Sequence, residues 1–224
     1  MTYHTLLVSD IHIGSKICRT DKIIELLKTT QYKTLIINGD LFDSEVTKSF
    51  DNMHWQLVSL ISKVAETRKV IMVGGNHGRK LDGLARKIGI EIMDDHTFIV
   101  GPNKFLCIHG DQFDPFVTYL PRTTHIFTHL FYIIQHINKK NQNSSMLIKR
   151  LSKRILGVSS HRQQKLAMHQ AIRRNANVVI CSHTHLPYTN SKNNLLYINS
   201  GSFCDNPSTY VTIDHRGNAK LERI

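Results

Sequence analysis

The sequence predicts an α/β protein, and three observations carry that prediction. Five short apolar runs each stop at a loop carrying Asp, Asn or His. Segments with apolar residues at helical spacing lie between several of those runs. The chain has 224 residues, 41% of them hydrophobic and 21% charged. That is long enough for a single domain with a substantial core and too apolar for a disordered chain. Strand-type and helix-type segments in alternation argue for helices packed on a central sheet.

In chain order, Thr5 to Val8 reads as a buried strand that runs into the polar loop SDIHIGS. Ile23, Ile24, Leu26 and Leu27 then mark one side of a helix. KTLIINGDLFDS is a second short strand broken by Gly and acids, and Met53 to Thr67 has helical spacing again. Val70 to Val73 is a third strand, ending in GGNHGRK. FLCIHGDQFD repeats the scheme a fourth time and NVVICSHTHLP a fifth. LLYINSGSF and STYVTID look like closing strands. The segment from 116 to 156 breaks this rhythm. THIFTHLFYIIQHINKK and MLIKRLSKRIL, separated by the polar NQNSS, read as two amphipathic helices, apolar on one side and basic on the other. They form a candidate lid inserted between the fourth and fifth units of a single domain spanning 1–224.

Composition narrows the functional classes. No run of 18 apolar residues exists, so no membrane-spanning helix is expected. The opening MTYHTLLVSDIHIGS has His and Asp where a secretory signal needs an apolar stretch, which points to a cytoplasmic protein. Cys18, Cys107, Cys181 and Cys204 are widely spaced and are expected to be reduced thiols. The net charge of +12 is placed unevenly. Between Pro115 and Cys204 there are twelve Lys or Arg and no Asp or Glu, while the remainder holds 17 basic and 17 acidic residues. Such a stretch attracts an anionic partner: a phosphorylated substrate, a nucleic acid or an acidic membrane face.

The chemistry is expected in the strand-end loops, because ligands of layered α/β folds sit beyond the strand ends. These loops carry Asp10 and His12, Asp40 and Asp43, Asn76 and His77, His109, and His183 with His185. Strand alternation would place both side chains of Asp-x-His, and of His-x-His, on the same side. Carboxylate mixed with imidazole suits Mn, Fe, Zn or Ni better than Ca. Seven or more such ligands exceed the four of a structural zinc and suit two ions sharing a bridging carboxylate. Two such ions are the usual device for in-line displacement at phosphorus.

SDIHIGS, NGDLFD, GGNHG, IHGD and SHTH resemble, in order, the five signature blocks of the calcineurin-like metallophosphoesterases: DxH, GDxxD, GNH(D/E), H and GHxH. Within that superfamily, SDIHIGSKIC, HGDQFD, the tail YINSGSFCDNPSTYVTI and the basic insert after HGDQFD resemble bacterial UDP-2,3-diacylglucosamine pyrophosphatase-like hydrolases, which act on a lipid-linked sugar nucleotide. The resemblance implies a two-sheet sandwich flanked by helices. It implies that Asp10, His12 and His185 hold one metal, that Asn76, His109 and His183 hold a second, and that Asp40 bridges the two. His77 would lie beside the phosphate without binding metal, and Asp43 would orient a ligand imidazole. The sequence departs from the pattern twice. Gly78 follows Asn-His where the family usually has an acid that partners the His, a role Asp43 or Asp111 could take. Ser182 replaces the Gly of GHTH, with little consequence expected from so small a residue.

The expected cofactors are therefore two divalent ions, Mn2+ first, with Fe, Zn, Ni or Mg as alternatives. A water between them would be acidified, and the resulting hydroxide would attack phosphorus. His77, with Arg79 and Lys80 as candidate substrate contacts, would stabilise the charge that develops. The insert, apolar and aromatic on one side and basic on the other, suits a lipid with an anionic head group and peripheral docking on the inner membrane face. The expected reaction is hydrolysis of a phosphodiester or pyrophosphate bond, in a lipid-linked nucleotide such as UDP-2,3-diacylglucosamine. The alternatives are a nuclease or nucleotide phosphodiesterase of the same superfamily and, ranked last, a non-catalytic scaffold. Physiological substrate and oligomeric state are not legible.

Overall fold

The computed structural model describes residues 2–43, 46–114 and 144–224. Two sheets form the middle of the molecule. The first has six strands, β1 (Thr2–Val8), β2 (Gln31–Asn38), β3 (Lys69–Val73), β4 (Glu91–Met93), β10 (Thr209–Ile213) and β11 (Ala219–Arg223), in the order β11-β10-β1-β2-β3-β4. The second has five, β5 (His96–Val100), β6 (Asn103–Cys107), β7 (Val178–Cys181), β8 (Tyr188–Lys192) and β9 (Leu195–Asn199), in the order β5-β6-β7-β9-β8. The strands β1 to β4 run parallel, as do β6, β7 and β9, and β5, β8, β10 and β11 join antiparallel. The observed architecture is thus the expected α/β class, with two sheets rather than the single central sheet that the strand–helix rhythm suggests.

Three cores explain why the strands read as unbroken apolar runs. Leu7, Ile36 and Val73 of the first sheet face Phe105, Cys107, Ile180 and Ile198 of the second. The alternate residues Leu6, Val8, Leu35 and Ile37 point the other way, onto helices. A strand covered on both faces has no polar side, so period-two alternation disappears. Helix α1 (Thr20–Thr29) buries Ile23, Leu26 and Leu27 there. Helix α2 (Asn52–Thr67) buries Leu57, Val58, Ile61 and Val64 and starts at a reciprocal cap. The His54 backbone N–H donates to Asp51 Oδ1 at 2.9 Å, and the Asp51 N–H donates to His54 Nδ1 at 3.2 Å, an arrangement that contributes about 1 kcal/mol. A short helix, α3 (Asp82–Lys87), follows β3.

On the outer face of the second sheet lies α4 (Ser144–Arg173). Gln163, Ala167 and Ala171, one helical repeat apart, are buried against Leu106, Val179 and Tyr197. The two alanines let the helix axis come close to the strands. The expected insert at 116–156 falls largely outside the described residues. Its last part belongs to α4, which runs past 156 without a break, so the helix continues well beyond the predicted segment. All four cysteines are free thiols, as expected. Among the described residues no helix is long and apolar enough to cross a membrane.

Candidate metal centre

The five polar loops meet at one end of the sandwich, where the carboxyl ends of β1, β2 and β3 face those of β6 and β7. Register makes this possible. Val8 pairs with Ile37 and Val73 with Asn38 in the first sheet, and Cys107 pairs with Ile180 in the second, so all five strands stop at nearly one level. Backbone bonds then splice the loops together: Ile11 and His12 N–H both donate to Asp40 O at 3.0 Å, and Ser182 N–H donates to His109 O at 3.0 Å.

The side chains of Asp-x-His and His-x-His converge for a reason other than strand alternation. Asp10, His12, Asp40, His183 and His185 all lie beyond their strands with φ between 49° and 65°. Among the described residues, the other non-glycine positions with positive φ are Asn175, Asn193 and Asn194, residues that tolerate this region in turns. Left-handed backbone costs on the order of 1–3 kcal/mol per residue, so five such residues in one cluster mark a site where neighbours enforce the conformation. Gly39 fits the same pattern: at φ +88° it passes so close to the His109 ring that a Cβ would stand 1.9 Å from Nδ1.

Three groups among the described residues have their donor atoms within 4.8 Å of one another: Asp10 with His12 and His185, Asp10 with Asp40 and His109, and His12 with Asp43 and His77. His109 Nε2 stands 3.4 Å from Asp40 Oδ2, His12 Nε2 is 3.8 Å from the same oxygen, and His185 Nε2 is 3.2 Å from Asp10 Oδ1. Asn76 sits in the same loop as His77, whose backbone N–H donates to Asp40 Oδ1 at 2.9 Å. His183 is placed beside His109, with ring centroids 5.3 Å apart, but its Nε2 points to Asp114 Oδ2 at 3.1 Å.

The far nitrogens of these imidazoles are also held. Asp43 Oδ1 is 3.1 Å from His12 Nδ1, the position the resemblance implies for it, and Asp205 Oδ2 is 3.4 Å from His185 Nδ1. His109 Nδ1 lies 2.9 Å from both Asn38 O and Ser182 Oγ. Asn38 in NGDLFD, Asp114 in HGDQFD and Asp205 in the tail segment lie inside the matching blocks, but the block patterns assign none of them a role, so sequence does not single them out. Ser182 was judged of little consequence, yet it is fully buried and its hydroxyl donates to Asn38 O at 2.7 Å. A small residue matters here because it occupies the seam between the two sheets.

His77 is part-buried, its ring edge-on to His12 with centroids 5.0 Å apart. Its donor atom also falls within 4.8 Å of those of His12 and Asp43. Asp43 is therefore the carboxylate near His77 where the family's acid is missing. Gly78 has φ +66°, and a Cβ there would stand 2.6 Å from Phe42 Cβ and Phe42 O. Close approach of Phe42 thus leaves no room at this position for the usual acid. Arg79 and Lys80 are exposed on the turn after His77, and Arg79 lines a small cleft together with Asp40, Phe42 and His77.

Charge balance inside the cluster is strong. Burial alone would lower His109 and His185. The carboxylates of Asp40 and Asp10 outweigh it for His109, those of Asp10 and Asp205 for His185, and both are raised to about 10. Burial would raise Asp40, yet His109, His12 and His77 hold it well below its ordinary value, and His185 does the same for Asp10 against a similar burial effect. His77 is lowered, chiefly by burial.

A divalent ion fits this donor set. Both Asp10 oxygens, Asn76 Oδ1 and His109 Nε2 are buried and complete no hydrogen bond. Buried polar atoms are nearly always satisfied; here Asp10 Oδ2 and Asn76 Oδ1 have no partner, and Asp10 Oδ1 and His109 Nε2 face only His185 and Asp40 at ion-pair distance, so the cluster calls for a ligand. Carboxylate, amide and imidazole atoms are suitable donors for first-row divalent ions.

Residues 4–218 match the calcineurin-like phosphoesterase superfamily domain, and the chain belongs to that superfamily. No curated protein matches the sequence. Among solved structures the chain is similar to an archaeal phosphodiesterase, at TM-score 0.54 and 16% identity, covering 98% of this chain and 99% of that one. It is similar to the phosphoesterase Yfce from E. coli, at TM-score 0.51 and 18% identity over 94% and 87% of the two chains. It is also similar to Vacuolar Protein Sorting 29 from Cryptosporidium parvum, at TM-score 0.50 and 15% identity over 98% and 96%. At these identities the likeness concerns the fold, which is shared by proteins named for an activity and by one named for a sorting process.

Proposed function

We propose that the protein is a dinuclear-metal-dependent phosphoesterase that hydrolyses a phosphodiester or pyrophosphate bond. The observation that carries this reading is the convergence of Asp10, His12, Asp40, His109 and His185 from both sheets, with buried donor atoms left without partners. Asp10, His12 and His185 would hold one ion, and Asn76, His109 and His183 the other, with Asp40 between. Bound divalent ions supply a Lewis acid for the phosphoryl oxygens and an acidified water. Around them, Asp43 and Asp205 orient His12 and His185, and Asn38 and Ser182 orient His109. His183 would leave Asp114 to take its place as a ligand. His77, held neutral by burial, offers an N–H to the oxygens that gain charge. Mn2+ is the first ion to test.

Support for a lipid-linked nucleotide such as UDP-2,3-diacylglucosamine comes from sequence: the motif likeness and the basic amphipathic stretch at 116–156. Peripheral contact with a membrane rests on the same stretch. The test is a phosphate-release screen with Mn2+ over UDP-diacylglucosamine, CDP-lipids, cyclic nucleotides and single-stranded DNA, alongside bis-p-nitrophenyl phosphate. EDTA, Asp40→Ala and His109→Ala should each abolish turnover of the chromogenic diester with the fold intact. Metal-independent turnover, or full activity in either variant, overturns the assignment.

A further inference from the structure

We propose that the end of the sandwich opposite the metal centre is a second ligand site, for a nucleotide, built from Lys33, Arg68, Lys69 and the His96–Phe98 ring stack. The reasoning starts from the inter-sheet core. Leu7 and Ile36 point into it, and Thr5 and Thr34 are the residues two positions earlier on the same faces. There the apolar filling stops, and a cleft of about 410 Å³ opens between the sheets, its lining including Thr34, Lys33, Arg68, Lys69, His96 and Phe98. That volume lies in the range of small-molecule sites. Thr5 is five residues from Asp10 along β1 and its loop, so the two sites are separated by about 17 Å.

Two properties of the lining specify the ligand. The first is charge: Lys33, Arg68 and Lys69 all line the cleft, and no Asp or Glu does. Lys69 is 3.2 Å from Glu91 and Arg68 lies over the Tyr32 ring at 4.5 Å, whereas Lys33 has no carboxylate partner among the described residues. Three cations at one opening favour a polyanion, and phosphate groups accept charge-assisted hydrogen bonds from Lys and Arg. The second is planarity. His96 stacks on Phe98 with centroids 5.1 Å apart and 15° between planes, and Phe98 stacks on Phe105 at 5.0 Å and 10°. His96 is thus the end of a three-ring column, and burial together with Lys69 keeps its imidazole below its ordinary pKa. A neutral ring at the end of a stack is a platform for a planar heterocycle. An anion and a flat ring in one small molecule make a nucleotide.

The test is isothermal titration of the full-length protein with ADP and, separately, with inorganic pyrophosphate, in EDTA so that the metal centre holds no ion. One saturable ADP site is expected. Lys33→Glu should weaken ADP and pyrophosphate roughly tenfold or more, the effect of losing one charge-assisted contact. His96→Ala should weaken ADP and leave pyrophosphate unchanged, while His109→Ala at the other end should leave both unchanged. Lys33 is an exposed strand residue; should the Glu variant unfold, Lys33→Ala gives the same comparison. Absence of saturable ADP binding to the wild type, or binding lost with His109→Ala and insensitive to Lys33, overturns the site. Pyrophosphate binding as tightly as ADP, with no effect of His96, overturns the nucleotide.

Discussion

The hydroxyl of Ser182 stands 2.9 Å from Nδ1 of His109, and the contact joins the loops after β7 and β6 of the second sheet. Asn38 closes it from the first sheet: its carbonyl is 2.9 Å from the same nitrogen and accepts the Ser182 hydroxyl at 2.7 Å. The imidazole is thereby turned so that Nε2 faces Asp40. Ser182→Ala should keep the fold and weaken metal binding, by about 10- to 100-fold if the loss resembles that of other groups that orient metal ligands. Metal titration of the variant monitored by calorimetry checks it, with an unchanged Kd as the contrary result.

Metal uptake should release protons. His109 and His185 are raised to about 10 without metal, so both are protonated at pH 7, and an ion can be accepted at Nε2 only once that proton has left. Apparent affinity should therefore rise with pH across the neutral range. Calorimetric titrations in buffers of different ionisation enthalpy read the number of protons released, expected to be about one for each of these two imidazoles.

Restoring the acid that the family usually carries should harm this chain. Gly78→Asp places a Cβ against Phe42 and holds a residue that carries a side chain at φ +66°. A loss of about 1–3 kcal/mol in folding stability is expected, from overpacking and left-handed strain together. Thermal unfolding of the metal-free variant gives the sign directly.

Removing the His77 imidazole separates a charge-stabilising role from a ligand role. His77→Ala should slow diester hydrolysis by about 10²-fold or more, in line with loss of one oxyanion-type donor, with bound metal per chain unchanged. Its donor atom lies within 4.8 Å of those of His12 and Asp43, so metal content is the deciding readout. A fall in metal content would make His77 a ligand.

Much of this was legible in one dimension. The five apolar runs are β1, β2, β3, β6 and β7, and the helical spacings are α1 and α2, because burial on two faces or on one stripe leaves a local signature. The strands β4, β5, β8 and β11 gave no such signal: they are short, lie at or near sheet edges and expose much of their length. The residue types at the centre were readable for the same local reason, since Asp-x-His and His-x-His stand out after an apolar run.

The sequence by itself determined the α/β class, the loops that carry the donors and the kind of ion those donors suit, all properties set by neighbours in the chain. The tertiary structure alone decided the order and register of the strands in the two sheets, and so how the loops meet. It also decided that left-handed backbone rather than strand alternation aims the paired ligands, and that Ser182, Asn38, Asp114 and Asp205 contact their imidazoles. The reason is separation along the chain. Asn38 and Ser182 are 144 residues apart, and no local pattern encodes a contact made only when two sheets close on each other.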